Sequence, residues 1–337
     1  MKEIGRVIPK VTILIKLNNC YLLFNCLILL FVLMTVSSCG SKRGCIDPVS
    51  LNFDPDAKID DQSCTYPAYY LNPVPIRKLK NKFIENSALN YDNERIWTLS
   101  DAGGENRIYT IDTLGGGELE DLELLGVTNI DFEALTSNDT HFFVGDFGNN
   151  DGIRTDLTIY KFPKPSPIVR NNIVSPESIR FTYPDQKDYR KNQNTSFDCE
   201  AMIYYNDHLY LFTKDHQTNT SSLYEIPAQA GSYEAKLKGK FDTKGTITDA
   251  HINRDKNKIV LVGHHPDRQT NFLWVLKDFR GSDFFTGKKL YAELGTLDQV
   301  GQIEGVSFFD NNRLFISNEQ YKTYNPYLYL LNIESVK

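Results

Sequence analysis

The sequence has little of what would suit it to a nucleic acid, a nucleotide or an acyl substrate. Its 37 Lys and Arg are outnumbered by 43 Asp and Glu. The basic residues form no stripe, which argues against a nucleic-acid partner. Gly-x-Ser-x-Gly, His-Glu-x-x-His, a phosphate-binding glycine loop and a dinucleotide fingerprint are all missing, so the common serine hydrolases, zincins and nucleotide-dependent enzymes have no signature here. Helical periodicity is almost absent from the chain after residue 68, and two Trp stand against 20 Phe and 19 Tyr. Short apolar runs rich in these rings, broken by Asn, Asp and Gly, read as β-strands and turns.

What is there is a repeat. Asp131-Phe132-Glu133-Ala134-Leu135 returns as Asp198-Cys199-Glu200-Ala201-Met202, then as Thr248-Asp249-Ala250-His251 and Ile303-Glu304-Gly305-Val306, with Glu85-Asn86-Ser87-Ala88-Leu89 as a weakened first copy. A second signature follows each: Trp97-Thr98-Leu99-Ser100-Asp101, Phe143-Val144-Gly145-Asp146, Phe212-Thr213-Lys214-Asp215, Leu261-Val262-Gly263-His264 and Phe315-Ile316-Ser317-Asn318. A third centres on Tyr109, Tyr160, Tyr224, Trp274 and Tyr329. The period is roughly fifty residues, the length of a four-stranded propeller blade. The expected fold is all-β: a β-propeller of five four-stranded blades over 69–337, with six as the alternative. The last unit runs out after its third strand, so Pro75-Ile76-Arg77-Lys78-Leu79 is expected to supply the fourth and close the ring. The spare length between 161 and 194 reads as an inserted hairpin.

Residues 1–38 read as an export signal, with Lys2, Arg6, Lys10 and Lys16 ahead of an apolar run over 21–36. Val36-Ser37-Ser38-Cys39 resembles the end of a bacterial lipoprotein signal, which implies cleavage before Cys39 and lipidation of its thiol. The alternative is an uncleaved transmembrane anchor. Either places the rest of the chain outside the cytoplasm and tethered to a membrane, in the cell envelope, outer membrane or cell surface of a Gram-negative bacterium. Residues 39–68 form a tether in which Cys45 and Cys64 are expected to pair. Cys20 and Cys26 lie in the signal, and Cys199 reads as a small buried residue of a strand.

Between the paired cysteines, Gly44-Cys45-Ile46-Asp47-Pro48, Asn52-Phe53-Asp54-Pro55-Asp56-Ala57 and Asp60-Asp61-Gln62-Ser63-Cys64 resemble a short motif of Bacteroidetes surface proteins. Phe53 and Gln62 stand where that motif has Tyr and Gly. Its aspartates either offer hard oxygen ligands to Ca²⁺ or form a solvated acidic loop.

The repeat geometry directs the acidic positions to the channel. Glu133, Glu200, Asp249 and Glu304 are expected to ring the axis at one mouth and hold a metal ion, Ca²⁺, because converging carboxylates repel unless protonated or neutralised. The alternative is that they accept backbone N–H groups of neighbouring blades. A second ring of Asp101, Asp146, Asp215, His264 and Asn318 is expected just outside. The ligand-binding face would then comprise Asp101, Asn106, Arg107, Asp146, Asn149, Arg154, Asp215, His216, His264, His265, Arg268 and Glu319, while His141 and His208 fall at the opposite mouth.

The Asp-x-Glu-Ala units, Val144-Gly145-Asp146-Phe147-Gly148-Asn149-Asn150 and Arg154-x-Asp156-Leu157-x-Ile159-Tyr160 resemble uncharacterised propeller lipoproteins of Bacteroidetes. Ile303-Glu304-Gly305-Val306 is more distantly similar to a signature of phytase-like and SdiA-regulated propellers. The residues leave two functions open. One is a lipid-anchored module that binds a glycan, peptide or protein at its carboxylate-rich face, with Ca²⁺. The other is a metal-dependent hydrolase of phosphate or carboxylic esters.

Overall fold

Twenty strands form five antiparallel four-stranded sheets. The computed structural model describes residues 41–337 apart from 102, 115–116, 166–171, 216 and 267–268. The signal, Cys20, Cys26, Cys39, His216 and Arg268 therefore lie outside the described residues. The first blade runs outward from the axis through Asn86–Asp92, Arg95–Ser100, Arg107–Ile111 and Glu118–Leu124, and the second through Phe132–Ser137, His141–Asp146, Thr158–Pro163 and Glu177–Thr182. The third comprises Asp198–Tyr205, His208–Lys214, Thr220–Pro227 and Lys236–Asp242, and the fourth Thr246–Ile252, Lys258–His265, Thr270–Lys277 and Lys288–Thr296. The fifth holds Gln302–Phe308, Arg313–Glu319 and Tyr327–Asn332, and its outer strand is Val74–Lys78 from the other end of the chain. The inner strands pack in sequential order, and the fifth closes against the first. This is a five-bladed β-propeller closed by an N-terminal strand, as the repeat predicts.

Five apolar clusters hold the ring, one in each gap between blades. Trp97 and Phe142 meet between the first and second, Phe143 and Met202 between the second and third, and Ala201 and Phe272 between the third and fourth. Val262 and Val306 meet between the fourth and fifth, and Leu89 and Phe315 between the fifth and first. Phe142, Phe143, Phe212 and Phe272 are wholly buried, each burial stabilising the fold by about 1.5–3 kcal/mol. Alternation along each strand sends one face to each neighbour, which is why the sequence reads as aromatic-rich strands on both faces.

The region 161–194 is not a hairpin. Ile173–Val174 crosses back and pairs in parallel with Glu118–Leu124, the outer strand of the first blade. Gly231–Glu234 does the same to the second blade and Tyr69–Tyr70 to the fourth. Three of the five outer edges are thereby covered, which blunts their capacity for edge-to-edge pairing.

The Cys45–Cys64 disulfide is formed, and the stapled segment docks on the fourth blade. Asp47 accepts from Tyr66 Oη at 2.8 Å and pairs with Lys288 Nζ at 3.0 Å. Asp54 is engaged by Lys42. Cys199 is free and buried, and burial pushes its thiol well up. Among the described residues no helix is long and apolar enough to cross a membrane.

Candidate functional site: an acidic axial mouth

Every inner strand carries a bulge at the repeated acidic position. The register skips Ser87 and Ala88 in the first blade, Glu133 in the second, Glu200 in the third, Thr248 in the fourth and Glu304 in the fifth. A bulge re-aims its side chain away from the alternation of the strand. Three glutamates, a serine and a threonine thus mark equivalent places around the axis. Both hydroxyls serve the frame: Ser87 Oγ donates to the Glu133 carbonyl at 3.1 Å and Thr248 Oγ1 to the Ile303 carbonyl at 2.7 Å.

Asp249 lies one residue beyond its bulge and turns between blades. Its carboxylate accepts from Val306 N at 2.7 Å, Ala250 N at 2.8 Å and Leu89 N at 3.2 Å, joining the fourth, fifth and first blades. Burial pushes its pKa up and the three N–H groups pull it back, with the net upward. Here the frame takes the charge.

The residues two before two of the bulges complete the mouth. Asp131 precedes Glu133 and Asp198 precedes Glu200, while Gln302 holds that place ahead of Glu304 and donates its Nε2 to Glu304 Oε1 at 2.7 Å. Carboxylate oxygens of Asp101, Asp131 and Glu133 lie within 4.8 Å of one another. The backbone of Gly148 lies against two of the three, Asp131 and Glu133. A Cβ there would stand 2.3 Å from Asp131 Oδ2 and 2.6 Å from Glu133 Oε1, so only glycine leaves the acids room.

A lysine shares the mouth. Lys214, opposite Asp198 in the ladder, sets its Nζ 3.0 Å from Glu200 Oε1; Glu200 is buried and Lys214 half-buried. Burial pulls its pKa down, but Glu200, Asp198 and Glu304 outweigh that and hold the ammonium charged. Glu319 and His264 occupy the matching second-strand positions of the fifth and fourth blades, opposite Gln302 and Thr246. The outer ring therefore contains Lys214 and Glu319 where alternation predicts Asp215 and Asn318. Asp215 caps a turn, accepting from Ser196 Oγ at 2.7 Å and from Gln217 N and Thr218 N at 2.9 Å. Asn318 is fully buried and bonded to backbone, accepting from Tyr327 N at 2.7 Å.

The electrostatics follow from burial and crowding. Burial, then Glu200, Asp101 and Asp131, push Glu133 well above the ordinary carboxylate range. Asp131 rises to about 7 through burial and the Asp101 charge. Glu304 also rises to about 7 and Glu319 to about 9, again chiefly through burial. Burial lowers His264 to about 4, helped by Lys214. This imidazole is neutral, with Nδ1 buried and unbonded and Nε2 3.3 Å from Thr246 Oγ1.

Other expected site residues are engaged elsewhere. Arg107 pairs with Asp121 and Glu123 on the outer strand of its blade, and Asn106 donates to the Leu124 carbonyl at 2.8 Å. Asp146 and Arg154 form a buried pair at 3.0 Å, and Arg154 also reaches Asp156 and the Gly148 carbonyl. Asn149 links blades, its N–H donating to Asp198 Oδ1 at 2.6 Å. His265 meets Tyr291 Oη at 2.7 Å within the fourth blade. Asp131, Asp198 and Lys214 were missing from the sequence-based set, although an Asp two residues ahead of the Glu recurs in Asp131-x-Glu133 and Asp198-x-Glu200.

No protein-family model matches this chain, and no curated protein is similar to it. Solved structures resemble it at low identity. An exo-β-1,3-galactanase from Phanerochaete chrysosporium, with galactose, is 11% identical over 82% of this chain and 63% of its own, with a TM-score of 0.45. A candidate 6-phosphogluconolactonase from Bacteroides uniformis is 13% identical over 77% of this chain and 70% of its own, at a TM-score of 0.37. Kuenenia stuttgartiensis hydrazine synthase is 7% identical over 71% of this chain and 57% of its own, also at 0.37. The strand topology, with one apolar cluster per gap and a closing strand from the other end of the chain, is what identifies the molecule as a propeller.

Proposed function

We propose that this is an exported, lipid-anchored binding module that takes a surface ligand, a glycan or protein segment, at its acidic axial mouth, with Ca²⁺ held by Asp101, Asp131 and Glu133. The observation that carries the reading is that carboxylate oxygens of those three lie within 4.8 Å of one another, two of them against the backbone of Gly148. Their donor set suits Ca²⁺, which prefers six to eight oxygens at about 2.3–2.6 Å and leaves positions for a ligand's hydroxyl or carboxylate. Glu200 is already balanced by Lys214, and Asp249 serves the frame, so the ion belongs to the second blade's side of the mouth. The anchor is Cys39, and the formed disulfide fits an oxidising compartment.

The test is thermal unfolding of the mature protein with Ca²⁺ or EDTA. A ligand that binds only the folded state adds about 2.7 kcal/mol at a hundredfold excess over Kd, so the midpoint should rise by several degrees. Asp131→Asn should abolish that response. A midpoint indifferent to Ca²⁺ would sink the metal site. In cells, Cys39→Ala should release the protein from the membrane fraction.

Hydrolysis is the second reading, favoured by one observation: Glu304, with a pKa of about 7, retains a proton near neutral pH, as a general acid must. Turnover of a phosphoester or carboxylic ester, lost in Glu304→Gln, would replace binding as the function.

A further inference from the structure

The geometry points to a second binding site, at the opposite mouth of the propeller, for an anionic polyhydroxylated small molecule, a sugar acid. A cleft of about 610 Å³ opens there, where the turns between first and second strands of several blades meet. That volume lies within the range of about 300–1,000 Å³ typical of small-molecule sites. Of its lining side chains only Ile252 is aliphatic; the rest are amides, hydroxyls, charges and rings. An apolar ligand has nothing to bury against, whereas a sugar has hydrogen-bond partners on several sides.

The floor is built rather than incidental. His251 Nδ1 accepts from Phe308 N at 3.4 Å, which leaves the Nε2 proton for Asn90 Oδ1 at 3.2 Å. Asn90 in turn donates to Ser137 Oγ at 3.1 Å. Imidazole, amide and hydroxyl from three blades are thus aligned in one relay. Its last member, Ser137, retains an O–H to donate to a ligand. Burial lowers His251 to about 4, so the relay stays neutral in the physiological range and keeps one polarity.

The walls add a ring and two cations. Tyr204 stacks on Phe143 with planes 17° apart and its hydroxyl donates to Asp207 at 2.8 Å, which fixes the ring as a platform. Lys256 and Arg254 stand exposed on the rim beside it, Lys256 with its ammonium 5.9 Å from the Tyr204 centroid. Lys164, by contrast, is already spent on Asp92 at 2.5 Å. Two uncommitted cations next to a fixed ring and a hydrogen-bonding floor match a pyranose that bears a carboxylate. Along the lining Lys164, Arg254 and Lys256 outnumber Asp92 and Asp139, which favours an anion here.

Calorimetric titration of the whole mature protein with D-glucuronate, D-glucose and acetate decides the matter. Glucuronate should bind at one site, and glucose and acetate at least about tenfold more weakly, since each lacks one half of the recognition. Arg254→Gln combined with Lys256→Gln should weaken glucuronate about tenfold or more while leaving the unfolding midpoint unchanged, because both side chains are exposed. Binding should survive EDTA and Asp131→Asn, so failure at the axial mouth leaves this site standing and the reverse holds too. No saturable glucuronate binding, equal binding of glucose, an undiminished double variant, or loss with EDTA would each overturn the proposal.

Discussion

Lys214 is the side chain on which the acidic mouth depends. Its ammonium sits among Glu200, Asp198 and Glu304, and burial already disfavours Glu200 and Glu304 as anions. Replacing it with Met keeps the length and removes the charge, and breaking a buried pair at one partner costs about 3–5 kcal/mol. Lys214→Met should therefore destabilise the fold by a few kcal/mol at pH 8 in urea unfolding. The loss should shrink near pH 4, where the neighbouring carboxyls carry protons; an equal loss at both would show that packing, not charge, is what Lys214 supplies. Asp249 makes the complementary case. Both of its oxygens accept N–H groups, so Asp249→Asn turns one acceptor into a donor facing donors. A buried unsatisfied group costs about 1–3 kcal/mol, and the loss should appear with or without Ca²⁺. A Ca²⁺ response altered by that variant would instead return Asp249 to the metal site.

At the scale of the element, the ring is held shut by a strand remote in sequence. Val74–Lys78 pairs with Tyr327–Asn332, and Leu79 and Phe83 just after it are buried between the first and fifth blades. A chain begun at Lys80 should lose the cooperative unfolding transition and associate through the exposed edge of the fifth blade; a monomer with an unchanged midpoint would contradict the closure. This strand was legible because the last repeat ends one strand short. The blade number was equally legible, since the period is a property of the sequence. The site was half legible. Glu133, Glu200 and Glu304 follow from the repeat, but a bulge inserts one residue, and a slip of one residue flips every side chain to the other face. That is why simple alternation selects Asp215, Asn318 and Asp249 where the structure has Lys214, Glu319 and Thr248. The crossing of Ile173–Val174 to the first blade has no local signal either, because its partner is supplied by tertiary contact.

At the scale of the whole molecule, the mouth makes stability depend on pH in a definite direction. Asp131 and Glu304 have folded pKa values of about 7 and Glu319 of about 9, all raised from ordinary carboxyl values. A group whose folded pKa is raised binds its proton more tightly in the folded state. Its contribution is complete below the unfolded pKa and is lost as pH rises through the folded one. His251 and His264, lowered to about 4, act oppositely, but their contribution is complete above the ordinary histidine value near 6.5. Between about pH 6.5 and 9 the raised carboxyls act, joined at the upper end by the raised Cys199 thiol, and the unfolding midpoint of the Ca²⁺-free protein should fall steadily. Glu319 contributes to the upper part of that fall, so Glu319→Gln should make the curve shallower between about pH 7.5 and 9. Saturating Ca²⁺ should flatten the lower part, where Asp131 titrates, because the ion replaces the proton as the neutraliser. A midpoint that rises across this window would mean that the axial carboxyls are ionised in the fold at no cost, and the crowding at the mouth would then have no energetic consequence.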